Sequence, residues 1–252
     1  MHDNPLVSVI MPCYNMEKFI ASSIESVILQ TYPHWELVIV DDASTDETAA
    51  IVKKYCTQDK RIAFFEKEKN SGIADTRNLS IQLAKGRFFA FLDADDVWHS
   101  EKLEYQLGFM IKHNIGFTYT TYDWINEEGN SLHKKIPTAG DLNYHDYLKN
   151  TIIGSSTVML DQGIVGEVIV PNFRTSEDAA TWLNILRKGY KAYSIDKALA
   201  SYRVRKKSAS SNKVKAAIDL WSVYRKQEKL SLFSAFGYFC SYAFHAVKKR
   251  LV

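Results

Sequence analysis

Asp93, Asp95 and Asp96 place three carboxylates within four residues, directly after the apolar run Phe88 to Leu92. Like charges that close repel each other. A fold keeps such a cluster where something positive neutralises it, and a hard divalent cation shared with substrate phosphates is the usual partner. The competing reading is an acidic turn in which Asp95 and Asp96 are solvated and help to start the next helix. A second acidic pair, Asp41 and Asp42, closes the apolar run Trp35 to Val40, and a third, Glu177 and Asp178, follows Ser176 at the head of an amphipathic segment.

Positioning these groups is the work of alternating strands and helices. Leu6 to Met11 reads as a first strand, and Glu17 to Gln30 as a helix with Phe19, Ile20, Ile24, Val27 and Ile28 on one face. Trp35 to Val40, Ile62 to Phe65, Phe88 to Leu92 and Ile115 to Thr121 read as further strands. Between them lie helices through Cys56, where Ser44 and Glu47 have capping-box spacing, over Gly72 to Leu83, and from Ser100 to about Lys112. Strands alternating with helices predict an α/β fold with a Rossmann-like, mostly parallel central sheet flanked by helices. Ligands in such sheets bind beyond the carboxyl ends of the strands. Pro12 to Asn15, Asp41 and Asp42, and Asp93 to Asp96 all belong there, so three loops are expected to meet in one crevice.

Beyond Tyr122 the pattern loosens. Residues 126–143 read as a loop or lid, Ser156 to Leu160 as a strand, and Ser176 to Lys188 as an amphipathic helix. Short strands at Ala192 to Ile195 and Leu199 to Arg203 precede a polar stretch, Arg205 to Lys213. Leu230 to Val247 is mostly apolar, with Ser231, Ser234, Tyr238, Ser241 and His245 spaced as a narrow polar stripe. It is short and Ser-rich for a membrane span. Two readings stay open: a helix lying in a membrane interface, and a terminal helix packed on its own domain.

With 252 residues and 46% apolar content the chain can bury a substantial core. The net charge of +3 conceals an asymmetry: residues 203–252 hold 12 Lys or Arg against two acids, leaving 20 against 27 before them. Such a basic tail suits an anionic partner. Cys13, Cys56 and Cys240 are too few and too dispersed for a disulfide framework or zinc site, and the N-terminus carries no signal-type segment. A cytoplasmic protein is expected, peripheral on the inner face of the membrane if the C-terminal helix binds lipid.

Four stretches, Val7-Ser8-Val9-Ile10-Met11-Pro12-Cys13-Tyr14-Asn15, Val40-Asp41-Asp42-Ala43-Ser44-Thr45-Asp46, Asn70-Ser71-Gly72 with Arg77-Asn78, and Phe91-Leu92-Asp93-Ala94-Asp95-Asp96, together resemble the donor-binding half of family 2 glycosyltransferases. Each motif alone is weak, but the order and spacing of all four agree. The resemblance, to enzymes of capsule, O-antigen or teichuronic acid synthesis, implies the GT-A fold and inverting transfer from a nucleotide-sugar, with a UDP-sugar the expected donor. It divides the chain into a nucleotide-sugar-binding half (1–121) and an acceptor-binding half (122–215), followed by a helical extension (216–252).

The same resemblance assigns residues. Pro12, Tyr14 and Asn15 would hold the nucleotide base, and Asp41 with Asp42 would accept the imino proton of uracil. Asn70 joins the donor site, Arg77 would meet the diphosphate, Asp93 the ribose, and Asp95 a Mn2+ or Mg2+ ion beside Ala94. Glu177-Asp178 resembles the family's Glu-Asp motif, so Asp178 is the candidate base, kept ionised by the helix N-terminus. Trp182, one turn on, borders the acceptor site or belongs to the core. Many relatives carry a metal-binding histidine in a segment resembling Tyr202-Arg203-Val204-Arg205; here Arg205 stands in that place, and Arg cannot ligate a cation. Arg203 and Arg205 could contact the diphosphate instead, or lie on a solvated basic loop.

The expected acceptor is a lipid-linked saccharide. A sugar-phosphate nucleotidyltransferase would need a Gly-rich phosphate loop after the first strand, and residues 11–17 contain no Gly. A non-catalytic nucleotide-sugar sensor or nucleic-acid binder is the remaining alternative. No nucleic-acid motif accompanies the basic residues, so no nucleic acid is expected as partner.

Overall fold

The computed structural model describes residues 4–206 and 213–251. Its parallel core is built from β1 (Val7–Cys13), β2 (Trp35–Asp41), β3 (Ile62–Glu66) and β4 (Phe88–Phe91) in the order β3-β2-β1-β4. β1 lies between β2 and β4, with Cys13 opposite Asp41 and Ile10 opposite Phe91, so the three following loops leave the sheet at one edge. Every β1 residue is buried, as a strand covered on both faces requires. Alternation sorts the side chains: Val7, Val9 and Met11 enter one core, while Ile10 enters the other.

The first core packs α1 (Ile20–Ile28), α2 (Thr48–Gln58) and α4 (Lys102–His113) through Ile24, Val52, Leu103 and Leu107. Burying one such aliphatic side chain contributes roughly 1.5–3 kcal/mol. The second core packs α5 (Tyr144–Lys149), α7 (Glu177–Leu186) and α8 (Lys213–Ser222) through Leu148, Leu183 and Leu220. α3 (Ile73–Leu83) is preceded by Gly72, whose φ of 93° a side chain would strain.

Beyond β4 the sheet is mixed rather than mostly parallel. Its order continues β4-β8-β6-β9-β5, from β8 (Met159–Asp161), β6 (Phe117–Ile125), β9 (Tyr193–Arg203) and β5 (Val97–Trp98). Only β6 with β9 is parallel there. The two short strands expected at 192–195 and 199–203 are one strand, irregular where β6 shifts register at Thr120 to Tyr122. The expected lid contains β7 (Ser131–Ile136), antiparallel to β6 and turned by Gly129. Ser156 to Thr157 forms a 3-10 turn rather than the start of a strand.

Local hydrogen bonding also moved two helix starts. Ser44 does not cap α2; its backbone N–H and hydroxyl both donate to Asp41, and the helix begins at Thr48. Likewise α4 begins at Lys102, after Glu101 rather than Ser100. A short helix, α6 (Gln162–Val165), follows β8, and a π-type turn over Val223–Gln227 links α8 toward α9 (Leu232–Leu251). Leu220 of α8, Tyr224 of the turn and Ala235 of α9 are buried in the second core, so both helices are anchored to the body. Residues 207–212, within the expected polar stretch, lie outside the described residues.

Candidate active site

The loops after β1 and β2 are tied to each other. Asn15, at φ 51°, donates its backbone N–H to the Ser44 hydroxyl at 2.8 Å, and its side-chain oxygen accepts from Thr45 N at 2.9 Å. Asp41 is buried and accepts from both Ser44 donors, so it shapes the turn. Pro12 is buried beside it, whereas Tyr14 leaves 43% of its surface exposed at the crevice edge.

Asp42 faces the head of α3. It accepts from Ser71 N at 2.9 Å and Gly72 N at 2.8 Å, with Lys67 Nζ 2.9 Å away. Burial would raise its pKa, but these donors outweigh burial and hold the carboxyl below its ordinary value. Asn70 is exposed and donates its side-chain amide to the Asp42 carbonyl at 3.1 Å.

Arg77 occupies the centre. Its side chain is only 3% exposed, and its Nη2 donates to Asp93 at 2.8 Å while Nη1 pairs with Asp178 and lies 3.6 Å from Glu177. One guanidinium on α3 therefore joins the acidic loop after β4, 16 residues on from Arg77, to the head of α7, 101 residues on. Its planar fork suits this bridging. The expected diphosphate contact would have to compete with three carboxylates for Arg77.

The carboxylates outnumber the cation, and the site's titration reflects this. Burial, followed by the Asp178 charge, pushes Glu177 up to about 8. Burial also raises Asp178, against the pull of Arg77. The helix N-terminus was expected to keep Asp178 ionised; burial acts the other way, and Arg77 is what opposes it. Glu177 Oε2 and Arg77 Nε are buried without hydrogen-bond partners.

Within the acidic loop the three aspartates are in different surroundings. Asp93 keeps 34% side-chain exposure, and its N–H donates to Ser156. Ala94 is buried. Asp95, with a side chain 15% exposed, meets Arg205 Nε at 2.6 Å, a charge contact without an aligned N–H. Burial raises its pKa and Arg205 draws it back. Asp96 neither starts a helix nor faces solvent. It is 2% exposed and accepts from Ser156 Oγ at 2.6 Å and Arg203 N at 2.9 Å, tying the loop to β9.

Arg203 is 4% exposed and donates to the carbonyls of Asp95, Asn126 and Glu127 and to Ser22 Oγ, so it is a knot beneath the site rather than part of a solvated loop. Trp182 is core, 1% exposed against Phe91 and Phe117. Sequence reasoning overlooked Ser156 and Lys67, which carry no motif; only the fold sets them beside Asp93, Asp96 and Asp42.

Among the described residues no cluster of three His, Cys, Asp or Glu side chains could hold a metal ion. The donor chemistry that is present, one carboxylate at Asp95, fits a hard divalent cation only with phosphate and water oxygens completing its shell.

The chain that builds this arrangement is similar along most of its length to known proteins. The chain is 48% identical over 247 residues to a Bacillus subtilis (strain 168) glycosyltransferase, TuaG, provisionally named for teichuronic acid biosynthesis; 98% of each chain is covered. It is 41% identical over 222 residues to WfgD of Escherichia coli, named a UDP-Glc:alpha-D-GlcNAc-diphosphoundecaprenol beta-1,3-glucosyltransferase, covering 88% of this chain and 86% of that one. Among solved structures, S. aureus TarS 1-349 in complex with UDP-GlcNAc superposes with a TM-score of 0.71 at 25% identity, over 87% of this chain and 64% of TarS 1-349. Residues 8–166 match the family described as Glycosyl transferase family 2, and with that match the fold is GT-A and the chain belongs to glycosyltransferase family 2.

Proposed function

We propose that this glycosyltransferase transfers a sugar from a UDP-sugar, with inversion, to a hydroxyl of a lipid-linked saccharide during assembly of a bacterial surface polysaccharide. The observation that carries the reading is the Arg77 bridge, which holds the donor-side Asp93 and the helix-borne Asp178 within reach of one guanidinium. The UDP-GlcNAc complex of TarS supports a uridine donor, and the name of WfgD supports a diphosphoundecaprenol-linked acceptor.

In this reading the uracil rests against Tyr14. Asp42 is ionised, and because a carboxylate oxygen can accept more than one hydrogen bond, its Oδ2 would take the imino N–H beside the Gly72 N–H. Asp93 receives the ribose. Asp178 accepts the proton of the acceptor hydroxyl as that oxygen attacks the anomeric carbon and the bond to the diphosphate breaks, the electron pair leaving with UDP. Arg77 positions Asp178 and keeps it ionised against burial, while Glu177 stores a proton that lowers the local negative charge. Asp95 is the residue that would hold Mn2+ or Mg2+, which when bound neutralises charge on the departing diphosphate. Arg205 must yield Asp95 to such an ion.

The test incubates the purified protein with UDP-sugars, Mn2+ and lipid-linked acceptors, then measures released UDP and the anomeric configuration of the product. Inversion is expected, and retention overturns the base assignment. Asp178→Asn should abolish transfer while UDP and Mn2+ binding stay near wild type; lost nucleotide binding would remove Asp178 from the role of base.

A further inference from the structure

The outward face of α9 is the reverse of what a helix facing water carries. Leu232 (62% exposed), Phe233 (93%), Phe236 (64%) and Phe244 (67%) recur at helical spacing, with exposed Cys240 between the last two. The inward side is secured separately: Ala235 is buried, Tyr238 Oη lies 2.8 Å from His145 Nδ1, and Phe239 packs edge-on against Trp221 of α8. Val214 and Ile218 add exposed apolar surface on α8. Single exposed apolar residues need no explanation, but four large apolar side chains, three of them aromatic, along one helix face mark a surface that is covered in use.

Charge identifies what covers it. Exposed Lys226 and Lys229 precede the row, and Lys248, Lys249 and Arg250 follow it in sequence, while residues 203–252 hold only Asp219 and Glu228 as acids. A second copy laid on this face would bring basic end against basic end, whether parallel or antiparallel. An anionic bilayer instead receives the rings and pairs with both basic ends. No described helix is long and apolar enough to cross a membrane, so the geometry is that of a helix lying on the surface.

We propose that the exposed face of α9 docks onto an anionic lipid bilayer, with Phe233, Phe236 and Phe244 entering the acyl boundary and Lys226 and Lys229 among the headgroups. The inference rests on this helix face alone, not on the donor or acceptor proposed above.

The test is flotation of the full chain with vesicles of phosphatidylcholine, or of phosphatidylcholine with about 30 mol% phosphatidylglycerol. Wild type should float with the anionic vesicles and lose most binding in high salt. Phe233→Ser should lower the partition coefficient about tenfold, and Phe233→Ser/Phe236→Ser/Phe244→Ser about a hundredfold or more. Lys226→Gln/Lys229→Gln should lose roughly fivefold for each charge, on anionic vesicles only. Circular dichroism and UDP-sugar hydrolysis without acceptor should match wild type, which separates a failed docking surface from a failed enzyme. If the triple variant misfolds, Phe233→Ser alone decides, because its ring makes almost no intramolecular contact. Wild type left unbound by anionic vesicles, or Phe variants floating as wild type does, overturns the proposal. So does a dimer in sedimentation velocity that the Phe variants dissolve while wild type fails to float.

Discussion

Replacing Arg77 by Met separates two roles for this residue. Asp93, Asp178 and Glu177 all lie within 3.6 Å of the guanidinium, and the side chain is 3% exposed. Removing one partner of such a buried pair costs about 3–5 kcal/mol, because the remaining charge is left uncompensated. Against a total stability of about 5–15 kcal/mol the variant should still fold, with a lowered melting temperature. The cost must depend on pH. Without Arg77 the pKa of Asp178, already raised by burial, rises further. A carboxyl whose folded pKa exceeds its unfolded value near 3.9 favours the folded state in acid and loses that contribution as pH climbs through the folded pKa. The stability gap between variant and wild type should therefore be small near pH 4.5 and approach its full size by about pH 8. In transfer assays the acid limb of kcat/KM should move upward by at least about one pH unit, with KM for the UDP-sugar little changed. Arg77→Lys, which keeps the charge but loses the fork, should fall between. A stability gap that does not vary with pH, together with a KM raised about tenfold and an unmoved acid limb, would refute the reasoning and place Arg77 on the diphosphate.

Two further perturbations test other parts of the structure. Lys102 is fully buried against Trp98 without a carboxylate partner, its Nζ near Gln106 Oε1 and the Thr157 carbonyl, and burial pushes its pKa down to about 7. A depressed lysine pKa penalises the fold fully below pH 7 and progressively less toward the unfolded value near 10.4. Lys102→Met should thus stabilise by up to about 4 kcal/mol at pH 6 and by little near pH 10, read by denaturant unfolding at both; equal effects at the two would contradict it. Arg205→His removes the guanidinium that pairs with Asp95 and supplies a ligand, so Mn2+ affinity in the presence of UDP should tighten about tenfold or more by calorimetry or electron paramagnetic resonance; unchanged affinity would show that Arg205 does not compete for Asp95.

The first half of the fold was legible because its strands are covered on both faces. Val7 to Met11, Trp35 to Val40 and Phe88 to Phe91 are apolar runs interrupted only by Ser8 and Glu36, and their ends are marked by Asn15, Asp42 and Asp93. The second half was less so, since β8 has three residues and β9 pairs with a shifting register. Helix starts at α2 and α4 moved because Ser44 was already committed to Asp41 and the turn before Lys102 is closed by backbone bonds.

The sequence by itself determined the family, the parallel half-sheet and the meeting of the loops after β1, β2 and β4 at one sheet edge, because those depend on local runs and on motifs in register. It also placed an acid pair, Glu177 and Asp178, at the head of a helix without saying what faced it. Only the tertiary structure decided that Arg77 is buried between Asp93 and Asp178, that Arg205 covers Asp95, that Asp96 and Arg203 are knots, and that α9 turns its rings outward. Each of these depends on contacts between residues 16 to 181 positions apart, or on which face of a helix meets the body. Local spacing carries neither, because long-range pairing follows from how the elements share one core.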